Sequence, residues 1–205
     1  KSNKCVILYD MRLLTTIILF FVLVISPVYS QKINAFAVKN NEDFVLKIFA
    51  CVKNLYTTQT EKYSLDKQIP FDLIVAMAAY ESGWGTSRFA IQGNNLFGIR
   101  TWDDNIPQMK PLQKPNSKWG VRKYVTYCTC IEDYIQILNN HPAYEEFRIV
   151  RASEIKSNGY ANATTLSQFL VAWSELGTQY TYRLREIILL IHSEGYYKGL
   201  PVNVR

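Results

Sequence analysis

The stretch AAYESGWGTSRFAIQGNNLFGIR, Ala78 to Arg100, holds one carboxylate, Glu81, among Tyr80, Trp84, Phe89, Phe97 and four glycines. A mostly apolar helix is predicted just before it, over Pro70 to Glu81, with proline in the first turn. Ile74, Met77 and Ala78 lie seven, four and three residues before Glu81. Those spacings put Glu81 on the apolar face of its own helix. It also sits in the last turn, at the negative end of the helix dipole. Both effects disfavour the ionised form and raise the pKa. A carboxyl group still protonated near neutral pH is what a general acid needs to protonate a leaving oxygen. The competing reading is a buried ion pair with Arg88 or Arg100. Gly83 and Gly85 end the helix and are read as leaving room for a ligand, and Trp84 and Phe97 as flat surfaces for a ring.

The chain has 205 residues, enough for one domain with a core of its own. Hydrophobic content of 48% and aromatic content of 14% exclude a disordered chain. The first thirty residues are set apart. Met11-Arg12 precedes an apolar run, Leu13 to Ile25, followed by SPVYS with Val28 and Ser30 before Gln31. A basic start, a short apolar core and a small-residue cleavage site describe a secretory signal peptide, with an uncleaved anchor as the alternative. The run is short of the roughly 20 residues that span a bilayer. Lys1 to Asp10 read as upstream of the start. Residues 1–30 are therefore assigned to upstream residues plus signal, and 31–205 to one domain. Without Lys1, Lys4, Arg12 and Asp10, the net charge of +6 falls to +4. No dense basic block points to nucleic acid. Cys51, Cys128 and Cys130 remain, an odd number. They read as buried thiols with room for one bridge involving Cys51, and Cys128 and Cys130 would share a face in a strand. His141 and His192 are isolated, so no metal is expected.

Along the chain, Glu42 to Tyr56 carries helical spacing. Leu96 to Arg100 and Trp119 to Tyr127 are strand candidates. Between them, Thr101 to Lys118 holds Pro107, Pro111 and Pro115 and reads as an irregular excursion, a flap over a bound ligand. Helices are predicted over Ile131 to Leu138, Pro142 to Ile149, Leu166 to Leu176 and Tyr180 to Ser193.

The run from Ala78 to Arg100 resembles the signature of bacterial N-acetylglucosaminidases of glycoside hydrolase family 73. IEDYIQILNNHPAYEEFR and WSELGTQYTYRLREII are similar to the Bax-like branch of that family. The likeness covers about Phe71 to Gly195. It implies an α+β, lysozyme-like fold, mostly helical with a small β-hairpin excursion. It implies hydrolysis of the β-1,4 bond between N-acetylglucosamine and N-acetylmuramic acid in peptidoglycan, without metal or cofactor, in the periplasm or outside the cell. The glycan strand is the expected partner, the chain a monomer, and the membrane is met only through an uncleaved signal. Glu81 falls on the family's catalytic acid. The alternatives are a wall-binding module without catalysis and a lytic transglycosylase.

Two departures from the family follow. Its tyrosine near the last helical hairpin is replaced, on WSELGTQY, by Trp173, a side chain able to stack on a sugar but without a hydroxyl to orient water; Tyr180 and Tyr182 lie close by and are candidates to substitute for it. Between Glu81 and Glu132 the only acids are Asp103 and Asp104, candidates for a second catalytic carboxylate or simply a polar turn. The substrate's own N-acetyl group is the other source of assistance. Asn94 and Asn95 are candidates for holding acetamido groups or for forming the turn into the strand. Tyr124, Tyr127, Tyr134 and Tyr144 are further cleft candidates.

Overall fold

The computed structural model describes residues 36–196; the expected signal segment lies outside them. Among the described residues, seven α-helices and three short strands follow in order: α1 (Asn41–Thr58), α2 (Phe71–Ser82), α3 (Arg88–Gly93), β1 (Arg100–Thr101), β2 (Gln108–Met109), β3 (Gly120–Arg122), α4 (Tyr127–Asn140), α5 (Glu145–Asn158), α6 (Ala163–Ser167) and α7 (Thr178–Glu194). Single 3-10 turns cover Leu65–Lys67, Pro142–Tyr144 and Val171–Trp173. The strands form one antiparallel sheet in the order β1-β3-β2. Arg100 pairs with Val121 and Gln108 with Arg122.

Helix α2 is the centre of this arrangement. Residues from Leu73 to Ala79 are all buried, so the helix is apolar around nearly its whole circumference. Such a helix is stable only inside a jacket of others. It packs most extensively on α7, and α1, α6 and α4 complete the surround. In its last two turns only Tyr80 and Glu81 are less than fully buried.

The turn leaving α2 is built from its own residues. The Ser82 hydroxyl donates to the Ala78 carbonyl and accepts from the Gly85 amide at 2.8 Å. The Trp84 amide returns to the Ala79 carbonyl at 2.9 Å. Gly85 has φ +81°, and a Cβ there would come within 2.5 Å of the Phe36 ring. The space that the sequence suggested for a ligand at Gly85 is therefore filled by the protein's own Phe36.

Several predicted elements end elsewhere, each for a local reason. Only Arg100 of Leu96 to Arg100 joins the sheet. The Asn95 side chain accepts from the Phe97 and Ile99 amides and donates to the Ile99 and Arg122 carbonyls, replacing the ladder with a side-chain clamp. The strand in Trp119 to Tyr127 stops at Arg122, because Thr126 caps α4 through a reciprocal bond with Thr129 and starts that helix four residues early. The excursion is not wholly irregular: it contains β2. Helix α5 runs nine residues past Ile149 to the left-handed cap at Gly159. Leu166 to Leu176 is not one helix. Asn162 caps α6 ahead of it, accepting from the Thr165 amide, and the chain then tightens into the 3-10 turn at Val171–Trp173. Buried Leu166 and Leu170 set the path there, overriding helical propensity. Helix α7 agrees with its predicted span to within two residues.

Cys51 and Cys128 form a disulfide that joins α1 to α4, with Cα atoms 5.3 Å apart; Cys130 is free and buried. Cys128 and Cys130 lie on a helix, not a strand, so they face different neighbours: one meets α1, the other the core. The bridge closes a loop of 77 residues. Chain-entropy reasoning for that length gives about 4 kcal/mol. Paired Cys51→Ser and Cys128→Ser substitutions should lower the unfolding free energy by an amount of that order in a denaturant titration. The oxidised and reduced wild type should differ in the same direction.

Candidate active site

A cleft of about 920 Å³ opens between the helices and the small sheet. The last turn of α2 brings Glu81 to it. Phe97, Gly98 and Ile99 come from the segment clamped by Asn95, and Arg100, Trp102 and Trp119 from the sheet and its excursion. Tyr144 and the stretch from Ala172 to Leu176 form the opposite wall. The floor is aromatic. Phe97 stacks flat on buried Tyr134, with ring centroids 4.1 Å apart and planes 6° from parallel. The Trp173 ring meets the same Tyr134 edge-on at 5.3 Å and Tyr144 at 6.0 Å.

Glu81 has no carboxylate partner and no close ion pair among the described residues. Burial dominates its electrostatics and raises its pKa from 4.5 to about 7, opposed by the Tyr180 hydroxyl and then by the positive charge of Arg100. Tyr180 is itself fully buried. Its hydroxyl faces the Glu81 carboxyl, but the contact is looser than an ordinary hydrogen bond, and no other partner among the described residues satisfies it. Burial raises the Tyr180 pKa, which keeps the hydroxyl protonated as a donor. Arg100 is held away from a direct pair by Trp119: its guanidinium lies over the indole at 4.1 Å. Gly98, with φ +67°, passes next to the acid; a Cβ there would be 3.8 Å from Glu81 Oε2. Glycine at this position keeps the approach to the carboxyl open.

The cleft gathers Glu81, Phe97 and Trp173 and leaves several other candidates outside. Trp84 adopts φ +56° and packs its ring on Phe44 and Tyr196, on the far side of the turn. Asn94 is fully buried and ties α3 to the Tyr124 and Val125 carbonyls. Asn95 is consumed by the clamp described above. Tyr124 donates to Asp133 at 2.5 Å, and Arg122 pairs with the same carboxylate at 2.7 Å. Trp84, Asn94, Asn95 and Tyr124 therefore support the site without lining it. Asp103 and Asp104 also stay out of the cleft: Asp103 caps its own turn through the Asn105 amide, and the Asp104 side chain is 91% exposed, near Lys110. The polar-turn reading of TWDDN describes them. Tyr182 is exposed, and of the four further tyrosines only Tyr144 reaches the cleft.

The residues that sequence reasoning passed over are Trp102, Trp119 and Glu175. Trp102 is 67% exposed, a large aromatic standing free at the cleft rim. A tryptophan beside a turn in a proline-rich excursion was the available signal. Among the described residues, Glu175 is the one carboxylate besides Glu81 in the cleft lining, placed there by the break between α6 and α7.

Glu81 is more protonated in the folded chain than in the unfolded one. Its contribution to stability is therefore fully present below about pH 4.5 and is lost as pH rises through about 7. A shift of that size corresponds to about 3 kcal/mol at full burial, less for a group in partial contact with water. Glu81→Gln should be more stable than the wild type at pH 8, by roughly 1–3 kcal/mol, and equal to it at pH 4. Denaturant titrations at the two pH values check both halves.

Comparison with known proteins places these features. Residues 57–192 match the glucosaminidase family, described as mannosyl-glycoprotein endo-beta-N-acetylglucosaminidase. Protein bax of Escherichia coli K12 is 34% identical over 112 residues, covering 55% of this chain and 39% of that protein. The peptidoglycan hydrolase FlgJ of Salmonella typhimurium is 27% identical over 131 residues, covering 52% and 42%. The chain thus matches only about two fifths of the length of these curated relatives. Among solved structures, the catalytic domain of the autolysin Auto from Listeria monocytogenes superposes with a TM-score of 0.52 at 18% identity, covering 92% of this chain and 98% of that one. A peptidoglycan hydrolase from Sphingomonas sp. A1 gives 0.51 at 20% identity, covering 76% and 97%. At these identities the likeness shows the fold, the mostly helical lysozyme-like α+β arrangement with a three-stranded sheet.

Proposed function

The chain belongs to the glucosaminidase family, and from that membership we propose that it is an exported endo-β-N-acetylglucosaminidase. It hydrolyses the β-1,4 bond between N-acetylglucosamine and N-acetylmuramic acid in peptidoglycan. The observation that carries this reading is a carboxyl group with its pKa lifted to about 7 at an aromatic-walled cleft. The names of FlgJ and of the Sphingomonas structure, both peptidoglycan hydrolases, support the substrate class. The Cys51–Cys128 disulfide suits an oxidising compartment such as the periplasm or the exterior. No helix among the described residues is long and apolar enough to cross a membrane.

In this mechanism Glu81 gives its proton to the glycosidic oxygen as the bond to the anomeric carbon breaks, and the bonding pair leaves with that oxygen. Water then adds to the anomeric carbon and Glu81 recovers a proton. Arg100 and the Tyr180 hydroxyl stabilise the carboxylate formed in between, which keeps the pKa from rising further. Trp173, Phe97 and Trp102 present flat faces for sugar rings. Asp103 and Asp104 stand outside the cleft, and in this reading the acetamido group of the substrate assists the departure from its own ring, with Glu175 the other carboxylate in the cleft lining among the described residues.

A single raised acid also suits a lytic transglycosylase, and the exclusion of Asp103 and Asp104 from the cleft favours it as the second reading. Mass spectrometry of products from purified walls decides. Reducing N-acetylglucosamine ends are expected; anhydro-muramic ends would establish the transglycosylase, and no products at all a binding module. Glu81→Gln should cut turnover by at least about a hundredfold; turnover within a few-fold of wild type would remove Glu81 from the acid's role. Wild-type turnover should fall as pH rises through about 7, as Glu81 loses its proton.

Glu175→Gln, measured on the same walls, should keep activity within about tenfold, a smaller effect than removal of a proton-transfer group. A loss as large as that of Glu81→Gln would make Glu175 the base that activates water, in place of acetamido assistance.

A further inference from the structure

A second pocket, of about 360 Å³, lies between the 3-10 turn Leu65–Lys67, the C-terminal half of α4 and helix α5. It shares no lining residue with the cleft. Its volume is in the lower range of small-molecule sites. Four of its wall residues are cationic, Lys62, Lys67, Arg148 and Arg151, against one acid, Asp66.

The pairing of these charges is incomplete. Lys62 is matched by Glu132 at 2.5 Å. Arg148 spends its Nη1 on two backbone carbonyls, Leu138 at 3.0 Å and His141 at 2.9 Å, which leaves its charge without a counterion among the described residues. Arg151 is the unusual member. Only 3% of it is exposed. Its Nη2 donates to the Asn139 amide oxygen at 2.7 Å, while Nε and Nη1 find no hydrogen-bond partner among the described residues. Burial pushes its pKa down to about 10, with the Arg148 charge adding to the effect. A guanidinium taken out of water without a carboxylate partner is costly, and an anion arriving beside it recovers that cost.

Charge counting sets the class of ligand. With Lys62 matched by Glu132, the cations Lys67, Arg148 and Arg151 face Asp66 alone, an excess of two positive charges. A phosphate monoester carries between about 1.5 and 2 negative charges at neutral pH, and a single carboxylate only half that. The amides of Asn140 and Gln136 supply neutral groups on the wall for the remainder of such a ligand. Arg151 is itself part of the wall, almost wholly buried, so its charge acts on the pocket through a medium less screening than water.

We propose that this pocket binds a phosphate dianion, free or borne on a small polar body such as a sugar, at a site separate from the cleft. The same group reaches it either as a free sugar phosphate or as inorganic phosphate.

The test is a titration of the full chain with glucose 6-phosphate, inorganic phosphate, unphosphorylated glucose and acetate, followed by calorimetry and by the Nε–H signal of Arg151. Saturable binding of glucose 6-phosphate with a shift of the Arg151 signal is expected. Tighter binding of glucose 6-phosphate than of inorganic phosphate identifies the sugar phosphate as the fitting source; equal binding identifies the phosphate group alone. Lys67→Gln, an exposed change that spares the packing of α5, should weaken binding about tenfold. Arg151→Met should abolish it, with a melting curve confirming the fold. Glu81→Gln should leave binding unchanged, which separates this site from the cleft. No saturation, equal binding of glucose and glucose 6-phosphate, binding as tight for acetate as for phosphate, or indifference to Lys67→Gln would each overturn the proposal.

Discussion

A carboxyl group held at the end of a helix that has almost no polar surface is the constraint around which the rest is arranged. Helix α2 is apolar on nearly every side, so it must be wrapped, and α1, α4, α6 and α7 wrap it. Its C-terminal end is where it emerges, and that end carries Glu81. Burial then does to the carboxyl what no nearby charge undoes: Arg100 is engaged by the Trp119 ring, and Tyr180 offers only a loose hydroxyl contact. The same burial that lifts the pKa also opposes folding of the ionised form. The acid is therefore placed by the stability of its neighbours, and the disulfide between α1 and α4 strengthens two of the helices that surround it.

The small sheet contributes position more than stability. Its three strands are two or three residues long. What holds it to the helices is polar: Asn94 reaches the chain leaving β3, and Asn95 joins both Ile99 and Arg122. Through that clamp Phe97, Gly98 and Arg100 arrive at Glu81 from one side. The break between α6 and α7 brings Trp173 and Glu175 from the other. Two irregular segments, each fixed by a few hydrogen bonds, thus build the walls around an acid fixed by a regular helix.

Glu81 was legible in the sequence because helical spacing from Ile74, Met77 and Ala78 forces a lone acid onto the face of its helix that packs inward. Helix α1 is legible through apolar residues at helical spacing, and α2 through a continuous apolar run opened by proline and ended by glycine. Asn94 and Asn95 carry two readings in the sequence, a sugar contact or the turn into the strand, because both uses of an asparagine look the same there; the buried carbonyls around them select the turn. Trp84 was misplaced because its left-handed backbone turns the ring back toward Phe44. Gly85 signalled a close approach, and the approaching group is Phe36 rather than a ligand. Capping by Thr126 and Asn162 moved two helix starts, since a cap acts through one side chain and leaves the periodicity of its neighbours unchanged.

The central claim is that burial keeps Glu81 protonated near neutral pH. Its most direct test is a titration of the Glu81 side-chain carboxyl carbon, labelled with carbon-13 and followed by NMR in the full chain, with Glu81→Gln used to assign the signal. A midpoint near 7 is the result that follows from the structure. A midpoint near 4.5, the value of a carboxyl in water, would contradict it and leave the cleft without its acid.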